Sequence, residues 1–438
     1  MTQILFIVTG LLIALPLALL LKASVDERQH RAAWVAAALL VVVLALWLFV
    51  LIWLREVVPL QLGIAAGVAL LAALFFVPWH RSRGLEIEEI TERVDERDVI
   101  FAREEYRPGS EHHDAYYAMR PENLAVDDRI RRLPPLLAPG GRLYDAQASA
   151  EIGALFRIIE AQLTEVDGPI DGPPRPIDPA AMTAAIKSMV LRMGAVEVGV
   201  ARLNPMYVYS HVGRGPEVWG EPIENPHAFA VAFTLEMRTS HVSAAPNPAI
   251  TKETVVQYLR GAQISIAMAR FIRSFGYPAR AHIAGSNYQI MLPPVAHDAG
   301  LGELGRLGYL ISPVLGARVR LGALTTDLPL IPDEPITFGV QEFCEKCRKC
   351  ATNCPSGAIP RGSKTVERGV QKWQLNIEQC LHYWRVIGTD CGMCMKVCPY
   401  SHPPTLIHNL VRAGIKRSPV ARTLSLWGDD LFYGRKLV

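Results

Sequence analysis

"FCEKCRKCATNCPSGAI", residues 343–359, carries four cysteines at intervals of three, three and four, and a proline follows the last. Cys344, Cys347, Cys350 and Cys354-Pro355 spell C-x2-C-x2-C-x3-C-P. Later come Cys380, then Cys391, Cys394 and Cys398-Pro399, a second set with its first interval stretched. Short intervals let one looping backbone aim three thiolates at three irons of a cubane. The fourth cysteine, ahead of a proline and a helix, faces away toward another cube. The pattern therefore assigns one [4Fe–4S] cluster to Cys344, Cys347, Cys350 and Cys398, and a second to Cys354, Cys380, Cys391 and Cys394. Zinc also favours C-x2-C, but four cysteines within eleven residues, and two runs that each close in Cys-Pro, decide for iron–sulfur. All eight cysteines lie between 344 and 398. That clustering reads as metal chemistry in a reducing compartment, not as a disulfide framework.

The 438 residues around this run suffice for two or three domains of about 150 residues each. A net charge of +3, from 45 basic against 42 acidic side chains, argues against nucleic acid as the main partner. The N-terminus holds three apolar runs, residues 4–21, 32–54 and 57–79. Each is long enough to cross a hydrocarbon core of about 30 Å at roughly 1.5 Å per residue. A secretory signal would account for one run and not three, and no arginine pair precedes the first to mark twin-arginine export. Lys22, Arg28 and Arg31 lie in the first loop and Arg81 and Arg83 follow the third run, whereas the second loop offers Arg55 beside Glu56. The positive-inside rule then puts the first loop, and everything after Arg81, in the cytoplasm. The expectation is a multi-pass inner-membrane protein whose soluble part faces the cytoplasm. Its helices are an anchor or, on a sharper reading, a dock for a membrane electron donor such as a quinol. No histidine falls inside the runs, which argues against a bis-histidine haem among them.

The organisation expected is an anchor at 1–83, a linker and entry segment at 84–177, a catalytic domain at 178–340, a ferredoxin-like module at 341–405 and a tail at 406–438. Asp178 as N-cap, Pro179 in the first turn and Gly194 at the end bracket a helix at 179–193. Apolar and β-branched residues predict strands at 195–203 and 227–237. A helix at 254–275 carries Val255, Leu259, Ala262, Ile266, Ala269 and Ile272 on one stripe, and residues 288–292 and 318–325 read as further strands. The mixture indicates an α+β or α/β domain. "AGLGELGRLG", residues 299–308, contains a formal G-x-G-x-x-G at Gly300, Gly302 and Gly305. Pro293 and Pro294 separate it from any strand, so a dinucleotide fingerprint is disfavoured. These glycines instead let the backbone approach a ligand closely, or turn the chain.

"FGVQEFCEKCRKCATNCPSGAI", "AGLGELGR" and "KWQLNIEQCLHYW…GTDCGMCMKVCPYS" resemble the catalytic subunits of corrinoid-dependent reductive dehalogenases, over roughly residues 98–403. Epoxyqueuosine reductases share the corrinoid domain and ferredoxin module, but typically carry Trp and Lys where Glu303 and Arg306 stand here. The resemblance implies a nitroreductase-like α/β domain holding cobalamin base-off, fed by two [4Fe–4S] clusters, that expels halide from an organohalide. Its electrons would come from a quinol or a ferredoxin-like donor. The resemblance also implies a proton donor, Tyr258, assisted by a cation and by Asn287. The cation falls on "ARVRL", with Arg320 preferred to Arg318 by spacing; Tyr207, Tyr209 and Tyr288 are the alternative tyrosines. A tyrosine with a pKa of about 10 becomes a usable acid when a nearby cation stabilises its phenolate. Two other readings stand beside this one: a corrinoid reductase for a non-halogenated substrate, and a non-catalytic iron–sulfur carrier on a membrane tether.

Overall fold

The computed structural model describes residues 2–54, 56–78, 82–285 and 288–436. The chain divides into two compact units, one made of Met1–Gly84, Thr337–Lys349 and His402–Val438, the other of Leu85–Ile336 and Cys350–Ser401.

In the first unit the apolar runs form α1 (Thr2–Asp26), α2 (His30–Trp53) and α3 (Val58–Phe76), three helices long and apolar enough to cross a membrane. Arg55 and the segment 79–81, which carry part of the charge asymmetry and the end of the third run, lie outside the described residues. Phe6 and Trp47 stack at 4.1 Å, and the Trp47 indole donates to the Phe6 carbonyl at 3.1 Å, tying α1 to α2. Away from that seam the side chains are apolar yet exposed, as Leu11, Leu46 and Leu70 are. That distribution is the opposite of a core built in water.

The expected tail is instead two helices, α5 (Leu406–Arg417) and α6 (Pro419–Tyr433), of which α6 packs against α2 and α3. The Ser418 hydroxyl caps α6 by accepting from the Val420 and Ala421 amides, and donates to the Leu74 carbonyl of α3 at 2.7 Å. A polar latch joins these parts. His402 contacts the Glu27 carboxylate through Nδ1 at 3.2 Å and Asp429 through Nε2 at 3.3 Å, and Asp429 also pairs with Lys349, between Cys347 and Cys350.

The second unit is built on a four-stranded sheet of β1 (Glu197–Arg202), β2 (Phe229–Glu236), β3 (Ala279–His282) and β4 (Val319–Thr326), in the order β1-β2-β4-β3. Every pairing is antiparallel. Of the two classes open from the sequence the domain is thus α+β, and the α/β label does not hold. Across the sheet lies α4 (Pro248–Arg273), whose Val255, Ala262, Ile266, Ala269 and Ile272 are buried with Val231, Phe233 and Leu324. This helix starts six residues before the expected 254 because Asn247 accepts from the Ala249 amide and Pro248 takes the first turn. The helix expected at 179–193 is observed as Pro179–Arg192, capped by Asp178.

Two expectations are overturned here. Residues 288–292 form no strand: Ile290 makes one isolated bridge to Val208, and Leu292 opens a helix, Leu292–Asp298, whose prolines sit in the tolerant first turn. Residues 84–177 lead into the second unit as expected but are no linker, since Ile100–Glu105, Glu111–Met119, Pro121–Arg131 and Ala146–Glu160 are helices. The first three of these pack in small apolar clusters, Ala102 with Tyr116 and Tyr117 and Ile100 with Ile130, and are joined by the buried Arg103–Asp127 pair at 2.8 Å and the Tyr117 hydroxyl donating to Asp127 at 2.7 Å. Such contacts leave no apolar period to read.

Candidate active site

Four cysteines of the second unit converge on one cavity. Cys354, Cys380, Cys391 and Cys394 line it, walled by Leu307, Tyr309, Ile359 and Trp384. Helix Ile377–Ile387, capped by Asn376, supplies Cys380, and the short helix Met393–Lys396 supplies Cys394. Burial pushes the Cys391 thiol up to about 11 and the Cys380 thiol up to about 12, and the neighbouring cysteines add to the rise. Four thiolates in so dry a space call for a multivalent cation among them, so the donor set fits an iron–sulfur cube. Of the other four, Cys344 and Cys347 are buried on helix Val340–Cys347 of the first unit, and Cys350 and Cys398 are buried in the second. None of the eight is in a disulfide.

Next to the cysteine cavity, α4 and β4 bring two expected residues together. The Arg320 guanidinium stands over the Tyr258 ring, with Cζ 5.4 Å from the centroid. Its Nη2 donates to the Thr254 hydroxyl at 2.7 Å, one turn before Tyr258, and lies 4.0 Å from the carboxylate of Asp390, the residue before Cys391. Its buried Nε has no hydrogen-bond partner among the described residues. Burial works against the Arg320 charge, but Tyr258, Asp390, Tyr309 and Tyr288 around it outweigh burial and raise its pKa. Tyr309 both lines the cysteine cavity and interacts electrostatically with Cys394, Cys380 and Arg320; burial raises its phenol well above the usual range. Burial likewise raises Tyr288, which interacts with Tyr258 and Arg320.

Arg318 is committed elsewhere. It is 1% exposed and donates to the Ser401 and Met237 carbonyls and to Glu236. Nearby Gly316, at φ +61°, lets the backbone of Tyr400 close in, since a Cβ there would lie 1.8 Å from the Tyr400 oxygen. Asn287 lies outside the described residues. The three glycines of the formal motif have their space filled by the chain itself: a Cβ at Gly300 would meet the Glu334 oxygen at 2.7 Å. At Gly302 it would meet the Ile311 oxygen at 2.2 Å, and at Gly305 the Ile311 side chain at 2.8 Å. They shape the Glu303–Leu304 and Leu310–Ile311 hairpin, and none of them lines either cavity described here.

A second cavity, of about 540 Å³, is lined among others by Tyr207, Tyr209, Tyr288, Ile290, His297 and Trp373. Burial raises Tyr209 to about 12. Trp373 is 4% exposed, its ring carries the Arg306 guanidinium at 4.4 Å, and its indole nitrogen has no hydrogen-bond partner among the described residues. Arg306 in turn donates to the Pro360 and Gly362 carbonyls at 2.8 and 2.9 Å. Apolar and aromatic walls with an unpartnered donor fit a large flat macrocycle rimmed by amide carbonyls, as a corrinoid is. Sequence reasoning missed Tyr309, Asp390 and Trp373. Each is distant in the chain from Tyr258, and the one local signal was the position of Asp390 directly before a cysteine.

A 4Fe-4S dicluster domain family matches residues 343–402. The tetrachloroethene reductive dehalogenase of Sulfurospirillum multivorans is 34% identical over 299 residues, covering 60% of this chain and 59% of that protein. Among solved structures, the catabolic reductive dehalogenase NpRdhA matches with a TM-score of 0.66 at 27% identity, over 83% of this chain and 50% of its own. A second solved reductive dehalogenase, studied for B12-dependent dehalogenation, matches with a TM-score of 0.66 at 28% identity, over 81% of this chain and 48% of its own. This chain thus spans about half to three-fifths of the length of these relatives.

Proposed function

From its kinship with the corrinoid and iron–sulfur reductive dehalogenases, which are oxidoreductases, we propose that this chain removes halide from an organohalide while anchored in a membrane by α1–α3. One observation carries the reading: the Tyr258–Arg320 pair adjoins the four-cysteine cavity, with Tyr309 and Asp390 shared between them. A place for electrons to arrive and a place for a proton to leave are therefore neighbours.

In this reading Cys354, Cys380, Cys391 and Cys394 hold one [4Fe–4S] cluster, and Cys344, Cys347, Cys350 and Cys398 the other. A base-off corrinoid would be held by the aromatic cavity, whose lining includes Trp373 with its unpartnered indole donor. When bound, it supplies the low-potential metal centre at which the carbon–halogen bond is reduced. The chain's own work is positional and electrostatic. Tyr258 holds the proton destined for the carbon that loses halide, and Arg320 stabilises the phenolate left behind. The resemblance gives Asn287 the role of a second donor, and Thr254 fixes the guanidinium over the ring. Gly300, Gly302 and Gly305 act on the site through the hairpin they shape. The apolar helices bring the clusters to a membrane donor such as a quinol, or hold them within reach of a ferredoxin-like one, on the cytoplasmic face of the inner membrane.

The test is anaerobic purification in detergent followed by iron, sulfide and cobalt analysis. About eight iron and one cobalt per chain, with halide released from a panel of organohalides under a chemical reductant, is the expected outcome. Iron without cobalt, even after reconstitution with cobalamin, would leave a membrane-tethered iron–sulfur carrier in its place.

A further inference from the structure

In α6 the amphipathic rule of soluble proteins is inverted. Leu424, Trp427 and Leu431 follow one another at i, i+3 and i+7, so they form one stripe, and they are 41%, 74% and 44% exposed. The opposite face carries the polar groups, and it is the buried one. There Arg422 donates to the Ile415 carbonyl at 3.0 Å and to the Ser82 hydroxyl at 2.7 Å. Asp429, on the same side, holds His402 and Lys349. On α5, Leu406 and Leu410 repeat the pattern at 62% and 39% exposure. A helix in water turns its oily side inward; this one turns it out.

The contacts of α5 and α6 say where that outward face lies. Ser418 meets Leu74 near the end of α3, Arg31 at the start of α2 donates to the Leu431 carbonyl, and His402 meets Glu27 just past the end of α1. The end of α1, the start of α2 and the end of α3 are the same end of an up-down-up bundle. The pair α5–α6 therefore sits at one membrane–water boundary, packed against α2 and α3, whose outward side chains are themselves apolar and exposed. Lys416, Arg417, Arg435 and Lys436 are exposed on or beside the same two helices, where anionic headgroups would meet them.

We propose that α6, with the exposed end of α5, is an interfacial membrane helix, with Leu424, Trp427 and Leu431 seated at the headgroup–acyl boundary of an anionic bilayer. The proposal rests on the reading of α1–α3 as spans, and the experiment separates the two. The full chain is placed in nanodiscs of phosphatidylcholine and phosphatidylglycerol, with and without acyl chains brominated near the headgroup. The Trp427 signal is taken as the difference between wild type and Trp427→Phe, since the chain holds eight tryptophans. The expected result is loss of about half of that difference signal with brominated lipid, and protection from aqueous iodide. Quenching by iodide and not by bromine would overturn the proposal, putting the stripe in water. Protection from both, with a dimer by light scattering that Trp427→Glu dissolves, would overturn it in favour of a second copy of the chain. Trp34 and Trp53, on the spans, serve as the internal control. If they too escape the brominated lipid, the membrane anchor itself fails, and the proposal with it.

Discussion

Replacing Arg320 by Gln removes a cation whose value can be worked from the structure. With Cζ 5.4 Å from the Tyr258 centroid and an effective dielectric of about 20, its attraction for a phenolate charge is about 3 kcal/mol. At about 1.4 kcal/mol per tenfold in rate, full loss of that stabilisation slows a step limited by proton donation about 100-fold. Gln keeps one donor toward Thr254, so the strand and helix stay joined and the change is confined to charge. The assay is halide release under a chemical reductant at matched iron and cobalt content, which bypasses the natural donor. Tyr258→Phe, which deletes the proton itself, should cost more, about 10²- to 10⁴-fold. Arg318→Gln should act differently, lowering stability through its lost contacts to Ser401, Met237 and Glu236 rather than lowering turnover in the folded fraction. Unchanged turnover in Arg320→Gln at full cofactor loading would refute the pairing. So would an equal loss in Arg318→Gln with its stability intact.

Other expectations are shorter to state. Cys380→Ser should remove about four iron per chain and the matching part of the visible absorbance, while the remaining cluster keeps its electron paramagnetic resonance signal. Burial disfavours the His402 charge, yet Asp429 and Glu27 outweigh it and hold its pKa above the usual 6.5. A raised pKa means the latch contributes fully below about 6.5 and weakens as pH climbs through the raised value. Tm in detergent should therefore fall on that alkaline side, and His402→Gln should flatten the slope; an unchanged slope would remove His402 from the latch. A reporter fused after the C-terminus should be active only if it functions in the cytoplasm, and periplasmic activity would reverse the assigned topology.

The parts of this molecule legible in its sequence were those whose signal is local. Run length alone gave α1–α3, and cysteine spacing alone grouped Cys354, Cys380, Cys391 and Cys394, which line one cavity, because both patterns are carried by short stretches of chain. Asp178 and Pro179 announced their helix for the same reason. Asn247-Pro248 announced α4 equally well, but the apolar stripe begins later and drew the start to 254. The helices between 100 and 131 were illegible because their apolar clusters are small and Arg103, Asp127 and Tyr117 join them through charge and hydroxyl contacts with no period. Strand order was illegible too: β4, last in sequence, takes a central place between β2 and β3, and only the folded chain shows the sheet to be antiparallel. Arg320 could be placed near Tyr258 from the resemblance. Nothing short of the fold brings Tyr309 and Asp390 to them, since the four positions span residues 258–390.

The cysteine cavity has a consequence for how the protein is made. Its walls are not those of a self-contained iron–sulfur domain: Leu307 and Tyr309 come from the segment before β4, while the ligands come from residues 354–394. Arg318 and Gly316 then clasp Ser401 and Tyr400 at the far end of that stretch. A ribosome delivers the sheet first and the ligands afterwards, so the pocket closes only once the late segment has threaded back onto finished strands. Cluster insertion is thereby placed after the sheet has formed, and the stretch excised as a free-standing ferredoxin would lack one wall of its own vessel. A cell that makes this protein must keep the growing chain reduced and supplied with iron and sulfide until residues 354–394 have joined the sheet.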